Sequence, residues 1–242
     1  LCLGGKRYPL AYVADGLWKG EIARFNPAKA TEYSYEVVRD GAVVRTEWKK
    51  HHLVLPEGVE PNALTVMDRW IDRPADSPFY SSAFTNAIFG RKAEKAKKAP
   101  KGANVLLQVA APALRPNEVL ALAGSGKALK EWTKVVPFDG ADFPVWTIAL
   151  NVTEPFAYKI LVADKDTLAP VAWEDGENRW FTELPQKDEF VVEADLQVRF
   201  GGRNWKGAGT AIPVFALRSA DDFGVGEFYD LKKMVDWAAS TG

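Results

Sequence analysis

Between residues 102 and 196, apolar side chains recur at every second position. Val105, Leu107 and Val109 alternate, as do Trp146, Ile148 and Leu150, and Phe156, Tyr158, Ile160 and Val162. Period two is the signature of a half-buried β-strand, because successive side chains leave the strand on opposite faces. The runs are short, and Gly, Pro, Asn or Asp separates them. Such spacing predicts an antiparallel β-sandwich of roughly immunoglobulin size, about 100 residues.

The rest of the chain divides around this segment. Residues 1–72 also read as β: Tyr33-Ser34-Tyr35-Glu36-Val37 alternates, Asp40-Gly41 suits a tight hairpin turn, and Ala42–Thr46 returns as the partner. Trp18–Ile22 suggests another strand, and the whole predicts an incomplete sandwich. Residues 73–101 read as a linker, broken by Pro74 and Pro78 and carrying the basic run Arg91–Lys98. Phe79, Tyr80, Phe84, Ile88 and Phe89 are too apolar for a free tether and are expected to pack on a neighbouring domain. Within residues 203–242 the period changes. Ala211–Phe215 predicts a strand buried on both faces. Phe228, Leu231, Val235 and Ala238 then follow helical spacing, with Gly242 as the stop. Strand, loop and helix together predict an opening βα unit. A complete (β/α)8 barrel needs about 250 residues.

Composition excludes several partners. The net charge of −1 gives no global attraction for nucleic acid or an anionic membrane, and no window offers a membrane-spanning apolar run. The single cysteine, Cys2, leaves no intrachain disulfide framework, which fits a cytoplasmic protein. Neither end looks native: the chain begins at Leu1 and stops directly after a helical pattern, so a piece of a longer protein is expected.

Nine Trp are more than a minimal core requires. Trp173-Glu174-Asp175-Gly176-Glu177-Asn178-Arg179 places a Trp at the mouth of a turn too polar to be buried whole. A sugar presents an apolar C–H face and a rim of hydroxyls. A rigid aromatic ring suits the face, while Glu, Asn and Lys supply donors and acceptors for the rim. Trp132 is a second candidate platform. Lys159 alternates away from Tyr158, so one of the two is expected to face solvent.

Gly124-Ser125, Leu129-Lys130-Glu131-Trp132, Pro144-Val145-Trp146, Phe156-Ala157-Tyr158-Lys159 and Trp173–Arg179 fall in one order. In that order they resemble the starch-binding domain, carbohydrate-binding module family 20, over about residues 102–185. The resemblance implies that Trp132 and Trp173 stack on glucose rings, and that Lys159, Glu174 and Asn178 hydrogen-bond them. Lys130 departs from the pattern, since the family usually has Gly before the platform Trp. The first segment resembles a cut-down copy, with Lys6 in the Trp132 place, Glu36 in the Lys159 place, and Thr46 or a shifted Trp48 in the Trp173 place. Weak or no binding is expected of it.

Gly207–Ser219, followed by Phe223-Gly224-Val225-Gly226-Glu227-Phe228, resembles the start of the glycoside hydrolase family 77 barrel. Two starch-binding modules ahead of such a barrel is the order of disproportionating 4-α-glucanotransferases. The resemblance implies a mainly β chain ahead of a retaining transferase for α-1,4-glucans such as starch, glycogen and maltodextrins. Retention requires two carboxylates about 5–5.5 Å apart. Asp221, Asp222 and Glu227 are read as loop and helix-start residues, so no catalytic residue is expected in this segment. No cofactor is implied. His51 and His52 are expected to form a surface pair rather than metal ligands, and Gly124-Ser125-Gly126-Lys127 is read as a turn rather than a phosphate loop. The alternative function is a non-catalytic protein that targets a partner to starch or glycogen.

Overall fold

The computed structural model describes residues 1–23, 25, 31–92, 94–203, 205–207 and 209–241. The chain forms two compact units, residues 1–203 and 204–242. In the first unit, β1 (Cys2–Leu3) to β9 (Ala63–Met67) belong to the N-terminal segment. They include β2 (Lys6–Arg7), β3 (Ala11–Ala14), β4 (Leu17–Lys19), β5 (Thr31–Ser34), β6 (Glu36–Arg39), β7 (Ala42–Thr46) and β8 (His51–Leu53). A second series follows: β10 (Val105–Ala110), β11 (Glu118–Gly124), β12 (Val136–Pro137), β13 (Val145–Leu150), β14 (Phe156–Asp164), β15 (Pro170–Trp173), β16 (Arg179–Phe181) and β17 (Glu189–Leu196).

Three sheets carry the fold of this unit. β2-β1-β5-β8 is the first, β13-β10-β17-β9 the second, and β12-β11-β14-β15 the third, with β16 also on β14. The second sheet is apolar on both faces. Val105, Leu107 and Val109 join one core with Leu120, Leu122, Tyr158, Ile160 and Val162 of the third sheet. Leu106, with Phe190, Val192 and Ala194, joins another core with Tyr33 and Leu53 of the first sheet. That double duty explains why β10 reads Val-Leu-Leu-Gln-Val-Ala rather than alternating cleanly with polar residues. β9 completes the sharing by pairing parallel to β17, from Ala63 opposite Glu189 to Met67 opposite Glu193. An N-terminal strand thus covers what would otherwise be a free edge of the second sandwich.

The expected 33–37 strand is divided at Tyr35, whose backbone N–H donates to Glu47 instead of to a ladder. The linker is laid against the second sandwich. The Arg91 guanidinium donates to the carbonyls of Arg115 and Glu118 and lies 4.8 Å over the Trp146 ring. Lys97 donates to the Phe138 carbonyl, and Glu94 pairs with Lys165. These contacts occupy several charges of the basic run.

In the second unit, α1 (Asp230–Thr241) stands where helical spacing predicts it. The expected strand does not form: Val214–Ala216 is a 3-10 turn preceded by Pro213, and its residues are not buried. Among the described residues of this unit no strand offers a ladder, and an unpartnered segment containing Pro cannot satisfy its backbone as β. A βα unit is therefore not formed here. Gly242, the expected helix stop, lies outside the described residues.

Candidate functional site

Three registers converge on Lys159. Ala123 of β11 pairs with it, Gly124 pairs with Tyr158, and Leu161 two positions on pairs with Trp173 of β15. Directly opposed residues share a sheet face, and so do residues two apart on one strand, so Lys159 and Trp173 lie on the same face. The backbone N–H of Trp132 donates to the Gly124 carbonyl at 2.6 Å, which ties the other ring to the end of β11. Trp132 and Trp173 remain 38% and 44% exposed. Tyr158 faces the core, and Lys159 takes the outer side of the alternation. Its ammonium donates to the Gly176 carbonyl at 2.7 Å, and two further donors remain on the same nitrogen. Asn178 is exposed on the same turn.

Glu174 is placed differently from its expected role on the sugar rim. It is 4% exposed; Oε1 accepts the Ile160 N–H at 2.7 Å, and the carboxylate holds the Arg179 guanidinium at 2.9 Å. Arg179 also donates to the Gln197 carbonyl, and the Asp175 N–H donates to that of Arg199. A buried carboxylate needs such partners. Its structural effect is to fix the turn that presents Trp173 and Asn178. Arg179, given no role of its own on sequence grounds, is the other half of this brace. Its signal was an Arg five positions after the Glu, at the start of a strand.

Trp132 ends a run of three left-handed residues, with φ of 50° at Lys130, 50° at Glu131 and 67° at Trp132. The departure at Lys130 therefore falls on a backbone conformation that L side chains resist and glycine adopts freely. Gly124 is required for another reason. A Cβ there would meet the Ala157 carbonyl oxygen at 2.4 Å and Leu129 Cδ1 at 2.7 Å.

The same frame recurs near the N-terminus. Glu47 accepts the Tyr35 N–H at 2.7 Å and pairs with His51, and the Trp48 N–H donates to Ile71. Tyr33 faces His51 across β5 and β8, as Tyr158 faces Arg179 across β14 and β16. Glu36 faces Thr46, as Leu161 faces Trp173. This register places Ser34, not Glu36, in the Lys159 position, and Thr46 in the Trp173 position. Lys6 is likewise not a counterpart of Trp132. It pairs with Leu3 directly across the Gly4-Gly5 turn, a two-residue connection with φ of 56° and 75° that replaces the whole ring-bearing loop.

His51 is not a surface residue: it is 2% exposed and stacked on Tyr33, with ring centroids 5.0 Å apart, while His52 is exposed. Its Nδ1 lies 2.6 Å from Asp195 and its Nε2 2.9 Å from Glu47. Tyr33 and Tyr35 donate to the two oxygens of Asp68. Burial alone would lower the His51 pKa, but the hydrogen bonds to Asp195 and Glu47 outweigh it and push it up to about 9. Burial raises the Asp68 carboxyl. Donor atoms of His51, Asp68 and Asp195 all lie within 4.8 Å of one another. Ligands about 2.0–2.2 Å from a tetrahedral ion stand about 3.3 Å apart, so the 2.6 Å contact is a hydrogen bond that fills the space an ion would need.

Residues 102–191 match the family model described as the starch binding domain, carbohydrate-binding module family 20. The chain is also 30% identical, over 247 aligned residues, to the 4-alpha-glucanotransferase DPE2 of Oryza sativa subsp. japonica, covering 93% of this chain and 26% of that protein. The chain thus spans about a quarter of the length of this curated relative. Among solved structures it resembles the glycoside hydrolase family 15 glucoamylase of Hypocrea jecorina, with 19% identity, 43% of this chain, 18% of that chain and a TM-score of 0.34. It also resembles the family 20 module of the maltotetraose-forming amylase of Pseudomonas saccharophila STB07, with 14% identity, 37% of this chain, 97% of that chain and a TM-score of 0.32.

Proposed function

We propose that this chain is the α-glucan-binding front of a 4-α-glucanotransferase, and that it holds starch-like chains on the face carrying Trp132, Lys159, Trp173 and Asn178. The observation that supports this reading is the occurrence, inside the segment matching the starch-binding family, of two half-exposed Trp: Trp173 on the same sheet face as Lys159, and Trp132 tied through its backbone to Gly124. The rings take the C–H faces of successive glucose units, and Lys159 and Asn178 bind hydroxyls. Glu174 serves the site through the brace beneath it. The N-terminal segment is a degenerate copy that contributes structure, since its connection at Gly4-Gly5 leaves no loop to carry a platform. The whole protein cleaves an α-1,4 bond and passes the glucan to an acceptor with retention, using carboxylates outside residues 1–242. Asp221 and Asp222 serve loop structure: Asp222 accepts the N–H groups of Ser219 and Gly224, and Asp221 pairs with Lys233.

Calorimetric titration with β-cyclodextrin tests this reading. The parent chain binds, and Trp173→Ala abolishes the heat while retaining the parent's unfolding transition. A folded parent that releases no heat would reduce the sandwich to a spacer.

A further inference from the structure

Trp180 is 66% exposed, more than either Trp of the cradle. Its neighbour Phe181 takes the core position on β16 and stacks on Phe156, with centroids 5.7 Å apart. Exposure alone is common among surface aromatic residues; what singles out Trp180 is its place on the strand beside the binding face. Its position is fixed by register. Trp180 lies opposite Ala157 on β14, and Ala157, Lys159 and Leu161 share one face, with Trp173 opposite Leu161. All three side chains, Trp180, Lys159 and Trp173, are therefore on one side of the sheet. Ala157 is small, so it leaves the indole face open.

Resting on the reading above, we propose that Trp180 is a third stacking platform, which extends the site so that it prefers a long linear α-1,4-glucan to a short one. Trp180 and Trp173 are four positions apart as measured along β14, or about 13 Å, farther than a single sugar ring reaches. A linear chain stacked on Trp173 can continue past Lys159 to Trp180; a short oligosaccharide cannot stack on both rings. The residues flanking Trp180 also fit a hydroxylated ligand better than an apolar protein surface, since Glu177, Asn178, Thr182 and Glu183 are all exposed and polar.

The test is titration of the full chain with maltotriose and with maltoheptaose, for the parent, Trp180→Ala, Trp180→Phe and Trp173→Ala. Trp180→Ala is expected to weaken maltoheptaose about tenfold, the equivalent of one aromatic stack, while maltotriose changes less than about twofold on the same scale. Trp180→Phe keeps a ring and restores most of the loss, which separates contact from damage to the fold. Equal weakening of both sugars, or an unchanged maltoheptaose affinity beside a Trp173→Ala variant that binds neither, would overturn the extension alone. A parent that binds neither sugar would remove the glucan reading with it.

Discussion

His51 and Asp195 are 144 residues apart in sequence and 2.6 Å apart in the fold, joined by a hydrogen bond between a buried imidazole of the N-terminal segment and a carboxylate of β17. Glu47 holds the other ring nitrogen, so one protonated His51 bridges two acids. In the second sandwich the equivalent place is taken by Arg179, whose charge does not depend on pH. The N-terminal frame has the titratable version.

That difference gives a pH dependence. The folded His51 pKa of about 9 lies above its ordinary value, so its contribution is fully present below about pH 6.5. It is lost as the pH rises through 9. The shift corresponds to roughly 3 kcal/mol. The raised Asp68 carboxyl has the same sign in a window of its own, present in full below the ordinary carboxylate range and lost as the pH rises through its raised value. Urea unfolding between pH 6 and pH 10 is expected to show the midpoint falling, and His51→Gln is expected to flatten that slope while lowering stability at pH 7. A variant with the parent's slope would show that His51 carries no proton at neutral pH.

The Glu174–Arg179 brace makes a second prediction. Arg179→Ala leaves a buried carboxylate with the Ile160 N–H alone and is expected to destabilise by about 3 kcal/mol. Glucan affinity should fall even where the variant is still fully folded, because the turn bearing Trp173 and Asn178 loses its underside. Calorimetry beside a denaturant curve separates the two effects; unchanged affinity in a folded variant would show that the turn stands without the brace.

Much of this was legible in the sequence, for a physical reason. Trp173 stands at the mouth of a turn that cannot be buried whole, and period two fixed which residues of β14 face the core, so Lys159 was readable as an outward side chain. Trp180 also carries a signal in the sequence: adjacent aromatic residues on one strand cannot both face the same core. His51 could not be read, because its burial depends on Asp195, which only the shared sheet brings near. The Ser34 register was lost because Tyr35 leaves the ladder to bond Glu47, shifting any count carried along the alternation. The 211–215 segment has the composition of a buried strand, but composition supplies no partner backbone.

Lys130 offers a stabilising substitution. Its φ of 50° puts a side chain where glycine has no steric penalty, so Lys130→Gly is expected to stabilise by about 1 kcal/mol, less whatever backbone entropy the glycine adds to the unfolded chain. β-cyclodextrin affinity should be kept, because the loop already has this conformation. A higher urea midpoint at constant m-value is the expected result, and a lower one would mean that Lys130 makes a contribution outweighing its strain.

Gly124→Ala should do the opposite, and through the site itself. The added methyl would lie 2.4 Å from the Ala157 carbonyl oxygen and 2.7 Å from Leu129 Cδ1. The first of these is ladder backbone, which cannot turn aside as a side-chain end can. Relieving it moves β11 away from β14 at the place where Gly124 accepts the Trp132 N–H. Overpacking of this kind costs about 1–3 kcal/mol. The platform should be displaced as well, so glucan affinity is expected to drop by more than in Lys130→Gly, a change in the same loop that adds no bulk. If Gly124→Ala lowered stability and left affinity intact, Trp132 would be held by its own loop rather than by the strand end, and the bond to Gly124 would not be what positions the ring.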